Sequence, residues 1–284
     1  MSGLRHFQPP YGCQNTVHSR TQPLEHCLVA LNSGDHIHGH CGPHVGLLHT
    51  VLRRLPRPEG VQTHPWKNWK WNNLSVSLCH SSITAVWALS CVAQSPIMLK
   101  EMHLPSSPVT YLLACFSTGY FLHDASDILL SSYARASWEF LLHHVLVLWC
   151  FLYAILTHRY VAGVSVALFV EVNSIFLHSR LMMRLACIDK SSYPYTFVKL
   201  LNLITYVLFR LGAQFLITRF IIMNYAWLDH ATSLLVAIGA MNIMMMVYLW
   251  RLVHADFLPQ RQLCHNDNRS KGTHDEESSS LKQD

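Results

Sequence analysis

The chain has 284 residues, 51% of them hydrophobic and only 13% charged, with 21 Lys and Arg against 16 Asp and Glu and a net charge of +5. Ordinary soluble domains carry about 25% charged residues, so this balance excludes that class; with no basic stripe interleaved with aromatics, it also excludes a nucleic-acid surface. Nine cysteines stand as singletons with no CxxC pair, which excludes a disulfide framework.

Residues 1 to 64 hold nine histidines, from His6 to His64, together with Cys13, Cys27 and Cys41, and no apolar run of spanning length or signal peptide. The segment is expected to be disordered. Its stretch DHIHGHCGPH, Asp35 to His44, offers alternating imidazoles and Cys41 to zinc or copper, but the spacing matches no named zinc module. A basic linker of Arg53, Arg54, Arg57, Lys67 and Lys70 suits anionic lipid, and Trp66, Trp69 and Trp71 suit the interface.

Six apolar segments follow, near 73 to 94, 109 to 131, 139 to 157, 160 to 182, 199 to 221 and 231 to 253. Each is long enough to cross a hydrocarbon core of about 30 Å. The fold expected is therefore all-α, a polytopic membrane bundle of about six helices. The short connector from Thr157 to Tyr160 makes the third and fourth an antiparallel hairpin. The membrane domain is placed at 65–258, and the polar tail 259–284 is expected to be disordered. With the N-terminus in the cytosol, 17 of the 21 lysines and arginines lie inside, Lys100, Arg159 and Arg219 lie outside, and Arg210 falls within a span. Both termini are accordingly expected to be cytosolic.

The third segment, WEFLLHHVLVLWCFLYAILT, carries Glu139, His143 and His144 at one end. Such groups are costly in hydrocarbon and mark a site by default. Glu139 and His143 share a helical face, whereas His144 points about 100° away. One imidazole can then be oriented by the carboxylate, as a general base or metal ligand requires; the plainer reading is a headgroup-level carboxylate and two packing histidines.

With that topology the other polar groups fall at one depth, between the membrane centre and the cytosolic face. They are Asn73, Ser77, His80 and Thr84 on the first segment, His123, Asp124 and Asp127 on the second, and Glu171, Asn173 and His178 on the fourth. The fifth repeats Asn202, Tyr206, Arg210 and Gln214 every fourth residue. Helix packing alone would scatter such groups in depth, so a polar chamber open toward the cytosol is expected. Arg210 needs an anion there, either Glu171, Asp124 or Asp127, or a phosphate or carboxylate headgroup. His123, Asp127, His143 and His144 are the set that could assemble on a metal, but no familiar ligand spacing joins them, and neither a metal nor a resident cofactor is expected. Phosphate-loop, nucleophile-elbow and dinucleotide fingerprints are absent from the sequence. The Met241, Met244, Met245 and Met246 cluster reads as packing or lipid-facing surface.

GYFLHDASDILL, ASWEFLLHHV, VEVNSIFLHSR and NLITYVLFR, with WKWNNLSVSLCHSSITAVWAL before them, resemble the TLC domain shared with ceramide synthases and translocation-associated proteins, over about residues 46 to 258. The resemblance implies about six helices round a central cavity. For the subfamily of small vertebrate proteins that the chain resembles, it implies a plasma-membrane role in setting phospholipid composition, restricting long polyunsaturated chains and keeping the membrane less fluid. The endoplasmic reticulum is the alternative location. In ceramide synthases the paired histidines similar to His143 and His144 serve acyl transfer from acyl-CoA. Two departures stand out. The HDxSD-type motif that follows the pair in those enzymes is replaced by Val170, Glu171, Val172, Asn173 and Ser174, while HDASD at 123 to 127 precedes it. Near relatives also begin with an apolar segment where this chain is His-rich.

Two functions remain open at this point. In the first, a regulator of lipid composition binds a lipid or acyl chain through His80, His123, Asp127, Glu171, Asn173, Asn202, Tyr206 and Arg210. In the second, an acyl-CoA-dependent transferase uses His143 or His144 as base or acyl acceptor, with Asp124 or Glu139 as orienter. Membrane lipids are the expected partners, with homo- or hetero-oligomers in the membrane also open.

Overall fold

Proline and serine set where the helices begin. In the computed structural model, which describes residues 57–103 and 107–257, Pro65 opens helix α1 (Pro65–Gln94) and Pro108 opens α2 (Pro108–Leu130). Proline at a first helical position gives up a donor that has no partner there anyway. The Ser107 hydroxyl accepts from the Thr110 amide at 3.2 Å and caps α2. There follow α3 (Trp138–Thr157), α4 (Val161–Ala167), α5 (Val170–Leu185), α6 (Tyr193–Thr205), a π-helical segment (Tyr206–Leu211), α7 (Gly212–Met223) and α8 (Ala231–Phe257). No strand occurs among the described residues. The DHIHGHCGPH stretch and the polar tail lie outside them.

Among the described residues, five stretches are long and apolar enough to cross a membrane: Pro65–Gln94, Ala134–Thr157, Val161–Leu185, Tyr193–Met223 and Ala231–Ala255. Helix α2 is not among them. Its 23 residues rise about 34 Å at 1.5 Å each, long enough for a crossing, but His123, Asp124 and Asp127 dilute its apolar character. It nonetheless runs the full distance between its neighbours. Near its start Tyr111 stacks on His158, just past α3, at 5.0 Å, and near its end Asp127 accepts from the Trp69 indole of the first turns of α1 at 3.1 Å. The outward apolar surface is broad, with Val86, Leu112, Val145 and Phe215 each more than half exposed. In water that would invite association, whereas against lipid it costs nothing. The protein is a multi-pass membrane protein built as a helical bundle.

The chain through Ile238 forms one unit and Gly239 onward a second. In the second, the described part is the remainder of α8, where the Trp250 and His254 rings lie 6.0 Å apart. In the first, two apolar clusters hold the helices. One joins Val76, Ala88, Leu113, Phe121, Phe151, Ile155 and Val161 of α1 to α4 with Leu168 just past α4. The other gathers Met102, Val166, Ile217, Phe220, Ile221, Leu228 and Leu234 at the end where α3 stops and α8 begins.

The expected hairpin between the third and fourth segments is present and tight. His158 and Tyr160 adopt left-handed backbone, φ 54° and 62°, a conformation that costs a non-glycine residue about 1–2 kcal/mol. Ring contacts hold them there, Tyr111 on His158 and Tyr153 on Tyr160 at 6.1 Å. At the opposite end, the loop before α6 is closed by Asp189. Its carboxylate accepts from the Ser191 amide at 3.0 Å and from the Ser191 hydroxyl, and these bonds hold its pKa below the usual carboxylate range.

Two irregularities fall where continuous helices were expected. The fourth segment breaks at Leu168 and Phe169, where bonds tighten to the three-residue kind: Phe169 N to Val166 O, Glu171 N to Leu168 O and Val172 N to Phe169 O. The break places Glu171 in the first turn of α5, where partial positive charge favours a carboxylate. The fifth segment loosens into the π form over Tyr206–Leu211. Just before it, Asn173 of α5, 0% exposed, donates to the Asn202 carbonyl at 2.9 Å, to Asn202 Oδ1 at 3.0 Å and to Thr205 Oγ1 at 3.1 Å.

Asn173→Leu keeps the volume but strands those acceptors. The expected loss is about 1–3 kcal/mol, seen as a lower melting temperature in detergent; an unchanged melting temperature would mean that the amide does not tie α5 to α6.

Candidate functional site

Three helices meet at a buried ion pair. Asp124 of α2 and His144 of α3 are 7% and 6% exposed, and His144 Nε2 stands 2.9 Å from Asp124 Oδ2. From α1, Asn73 Nδ2 donates to the other Asp124 oxygen at 2.6 Å and reaches Asp127 at 3.4 Å. The carboxylate that holds a histidine of the pair is therefore Asp124 from the preceding helix, one of the two orienters considered from sequence, and the histidine it holds is His144.

The donor inventory fixes how His144 is used. Its Nδ1 lies 2.6 Å from the Phe140 carbonyl, which can only accept, so Nδ1 carries a proton. One further proton lies between Nε2 and Asp124. Both ring nitrogens of His144 are thus engaged. His143 is half-buried beside it, the rings edge to face at 5.6 Å, and makes no hydrogen bond among the described residues. Glu139 and His123 are half-buried on neighbouring faces.

A second group forms where the two helix irregularities face each other. Ser81 of α1 donates to Glu171 at 2.6 Å, and Arg210 Nη2 of the π segment donates to Ser174 of α5 at 2.9 Å. The Ser174 hydroxyl in turn donates to the Val170 carbonyl at 3.2 Å, one turn back on α5 and beside Glu171 in the chain. Arg210 lies 5.5 Å from the Tyr206 ring centroid. The expected direct anion for Arg210 is absent among the described residues, and Ser174 stands in its place. Asn173 and Asn202 bond to each other and belong to the packing between α5 and α6.

His80 occupies an aromatic box. Its ring stacks on Tyr120 at 3.7 Å and 11°, lies 5.8 Å from Phe116 and meets Phe121 edge-on at 5.6 Å. Phe121 also meets His144 edge-on at 5.8 Å, linking the box to the ion pair. The four-residue metal set considered from sequence does not form, since no three His, Cys, Asp or Glu side chains converge that way among the described residues.

Sequence reasoning missed Trp69, Ser81, Ser174 and the aromatic partners of His80. Trp69 looked like an interfacial anchor and is instead a donor to Asp127. Ser81 and Ser174 carry no charge to draw attention, although each lies on the same face as a residue that did.

Because the pair is buried, breaking it is costly. Asp124→Asn should destabilise by about 3–5 kcal/mol, while Asp127→Asn, half-buried and held by neutral donors, should cost about 1 kcal/mol. Adding His144→Gln to Asp124→Asn should cost less than the sum of the single losses; strict additivity in a double-mutant cycle would show that the two side chains are not coupled.

Comparison with known proteins covers this whole region. Residues 70–254 match the TLC domain, a span that includes every side chain named above except Trp69. TLC domain-containing protein 1 of Mus musculus is 42% identical over 214 residues, covering 75% of this chain and 86% of that protein. Its Homo sapiens counterpart is 40% identical over 213 residues, with 75% and 86% covered. TLC domain-containing protein 2 of Danio rerio is 37% identical over 222 residues, covering 76% and 89%. The chain belongs to the TLC domain family.

Proposed function

We propose that the protein regulates membrane phospholipid composition and fluidity, limiting the incorporation of long polyunsaturated chains. It does so by holding a lipid or acyl chain against the polar groups of α1, α2, α3, α5 and the π segment. The observation that carries this reading is the meeting of two broken helices at mid-span, Glu171 and Ser174 on one and Arg210 on the other. Irregular backbone at membrane depth is tolerated where it is buried in protein or lines a cavity, and interrupted helices often frame a binding site. The role itself comes from the resemblance to small TLC-domain proteins; the site supplies a place where it can act.

One observation favours acyl transfer as a second reading. His144 is immobilised through both nitrogens, which leaves His143 as the base. His143 would take the proton of an acceptor hydroxyl as its oxygen attacks the acyl-CoA thioester carbonyl. The C–O bond forms, the C–S bond breaks, and the proton passes to the departing coenzyme A thiolate. Arg210, the cation facing this region, would bind anionic parts of the substrate.

Lipid profiles of cells carrying His143→Ala, His144→Ala and the double variant at equal abundance separate these readings. A regulator built on this site predicts that the double variant shifts phospholipids toward polyunsaturated chains as loss of the protein does; wild-type profiles would sink both site-dependent readings. In the transferase reading, purified protein moves labelled acyl groups from acyl-CoA and His143→Ala lowers the rate about 10²–10⁴-fold.

The reading places the protein in the plasma membrane, with the endoplasmic reticulum as alternative and both ends cytosolic. The basic residues support that orientation, 17 inside against three outside. Cys187, exposed in the loop before α6, is a reporter. In a chain keeping it as sole cysteine, a membrane-impermeant maleimide should label it only after permeabilisation; labelling of intact cells would invert the topology.

A further inference from the structure

From Arg180 to Lys199 the chain carries four basic side chains and one carboxylate, Asp189. Arg184, in the last turn of α5, and Lys190, in the loop before α6, are exposed and make no hydrogen bond or ion pair among the described residues. The loop between them is held by its own backbone. Cys187, in left-handed conformation at φ 57°, donates its amide to the Arg184 carbonyl at 3.1 Å, and Ile188 donates to that of Met183 at 3.0 Å, which closes α5. Asp189 is turned onto Ser191, and its carbonyl accepts from the Ser192 amide at 3.1 Å. Helix α6 starts beside it with no side-chain cap, so its partial positive charge adds to the two cations. Other carboxylates stand apart. Glu171 is 13 residues back along α5, about 20 Å from Arg184. Asp127 is held by Trp69 and Asn73, and Glu139 lies on α3, which packs mainly on α2 and α4.

The face of α6 that begins at this loop is apolar and uncovered. Tyr193, Phe197, Leu200 and Ile204 are 84%, 52%, 49% and 44% exposed, and their spacing of four, three and four places them on one side of the helix. The Tyr193 and Phe197 rings stack at 6.5 Å. Tyr195, Asn202 and Thr205 are buried on the other side. From Tyr193 to Ile204 the rise is about 16 Å, half of a hydrocarbon core of about 30 Å and so the depth of one leaflet. A tyrosine at the start of such a stripe sits at headgroup level, with Lys190 three residues before it.

We propose that this surface holds an anionic phospholipid. Its acyl chain lies along Phe197, Leu200 and Ile204, and its headgroup sits beside Tyr193 between Arg184 and Lys190. The length of the stripe fits one chain of one leaflet, and the two unpartnered cations at its polar end fit a net negative headgroup better than a zwitterionic one. With both ends of the protein cytosolic, this is the leaflet that carries the anionic lipids. The site lies on the outside of the bundle, apart from the buried polar groups, so its failure leaves the reading of that buried site as it stands.

The test is lipid retention by the purified full-length protein, read by native mass spectrometry from detergent micelles. The probes are dioleoyl phosphatidylserine, dioleoyl phosphatidylcholine and free phosphoserine. Wild type should hold the serine lipid at least tenfold more tightly than the choline lipid and should not hold phosphoserine. Arg184→Gln and Lys190→Gln should each weaken the serine lipid roughly fivefold and leave the choline lipid unchanged. Arg219→Gln, an exposed arginine of α7 at the opposite end, should change neither. In the chain keeping Cys187 as sole cysteine, a bimane there should be quenched more by 5-doxyl phosphatidylserine than by 5-doxyl phosphatidylcholine, a measurement that needs neither charge variant. Equal retention of the two lipids by wild type, equal quenching of the bimane, or a double variant that keeps the full preference overturns the assignment. Phosphoserine held as tightly as the lipid overturns its lipid source.

Discussion

The pair of Asp124 and His144 dictates how the first three helices lie. Taking a carboxylate and an imidazolium out of water costs several kcal/mol for each ion, repaid only if geometry is good and the remaining lone pairs and protons are met. Here each demand is met by a different helix: Asn73 of α1 at 2.6 Å on the free carboxylate oxygen, and the Phe140 carbonyl one turn back on α3 at 2.6 Å on Nδ1. Sliding any of the three helices by a turn would leave one of these groups unmet. Phe121, one turn before Asp124, is thereby set edge-on to His144 and to His80, so the aromatic box is a consequence of the same register. The pair also explains why α2 tolerates low apolarity, since its most polar residues face protein.

Helices α5 and α6 solve a different problem. A continuous helix through Leu168 would leave Glu171 in mid-helix with no partial charge to favour it, and the break gives it a helix start and Ser81 as donor. Across from it, the π segment adds a residue to the turn and carries Arg210 to Ser174. Ser174 accepts from the guanidinium and passes its own proton to the Val170 carbonyl, so Arg210 is oriented by a neutral partner that leaves its charge to act on something else.

The helices themselves were legible because periodicity and apolar length report on the solvent a segment meets, and lipid makes that signal strong. The polar residues were legible for a related reason: in such segments Glu171, Arg210 and the histidine pair stand out against their background. Their partners were legible only as sets. Asp124 and Glu139 both stood as orienters of the histidine pair; spacing within one helix speaks only for Glu139, and it says nothing of a residue delivered by another helix, as Asp124 is from 20 positions earlier. Nor do Leu168 and Phe169 or Tyr206 to Leu211 contain a proline to announce a break. Those irregularities are set by tertiary bonds, Asn173 to Asn202 among them, that exist only once α5 and α6 have met.

Polarity is divided along the bundle, and the division constrains any amphiphile. The end where α3 stops and α8 begins is closed by Met102, Val166, Ile217, Phe220, Ile221 and Leu228, with the exposed ion pair of Arg159 and Asp229 outside it. Trp69, Asn73, Asp124, Asp127 and His144 lie toward the other end, and Glu171 and Arg210 near the middle. A molecule with one polar and one apolar part gains from burial only if its polar part stays on the Trp69 side of Gln214 and its chain points toward the apolar end, since the reverse would strand a headgroup among Ile217, Phe220 and Val166.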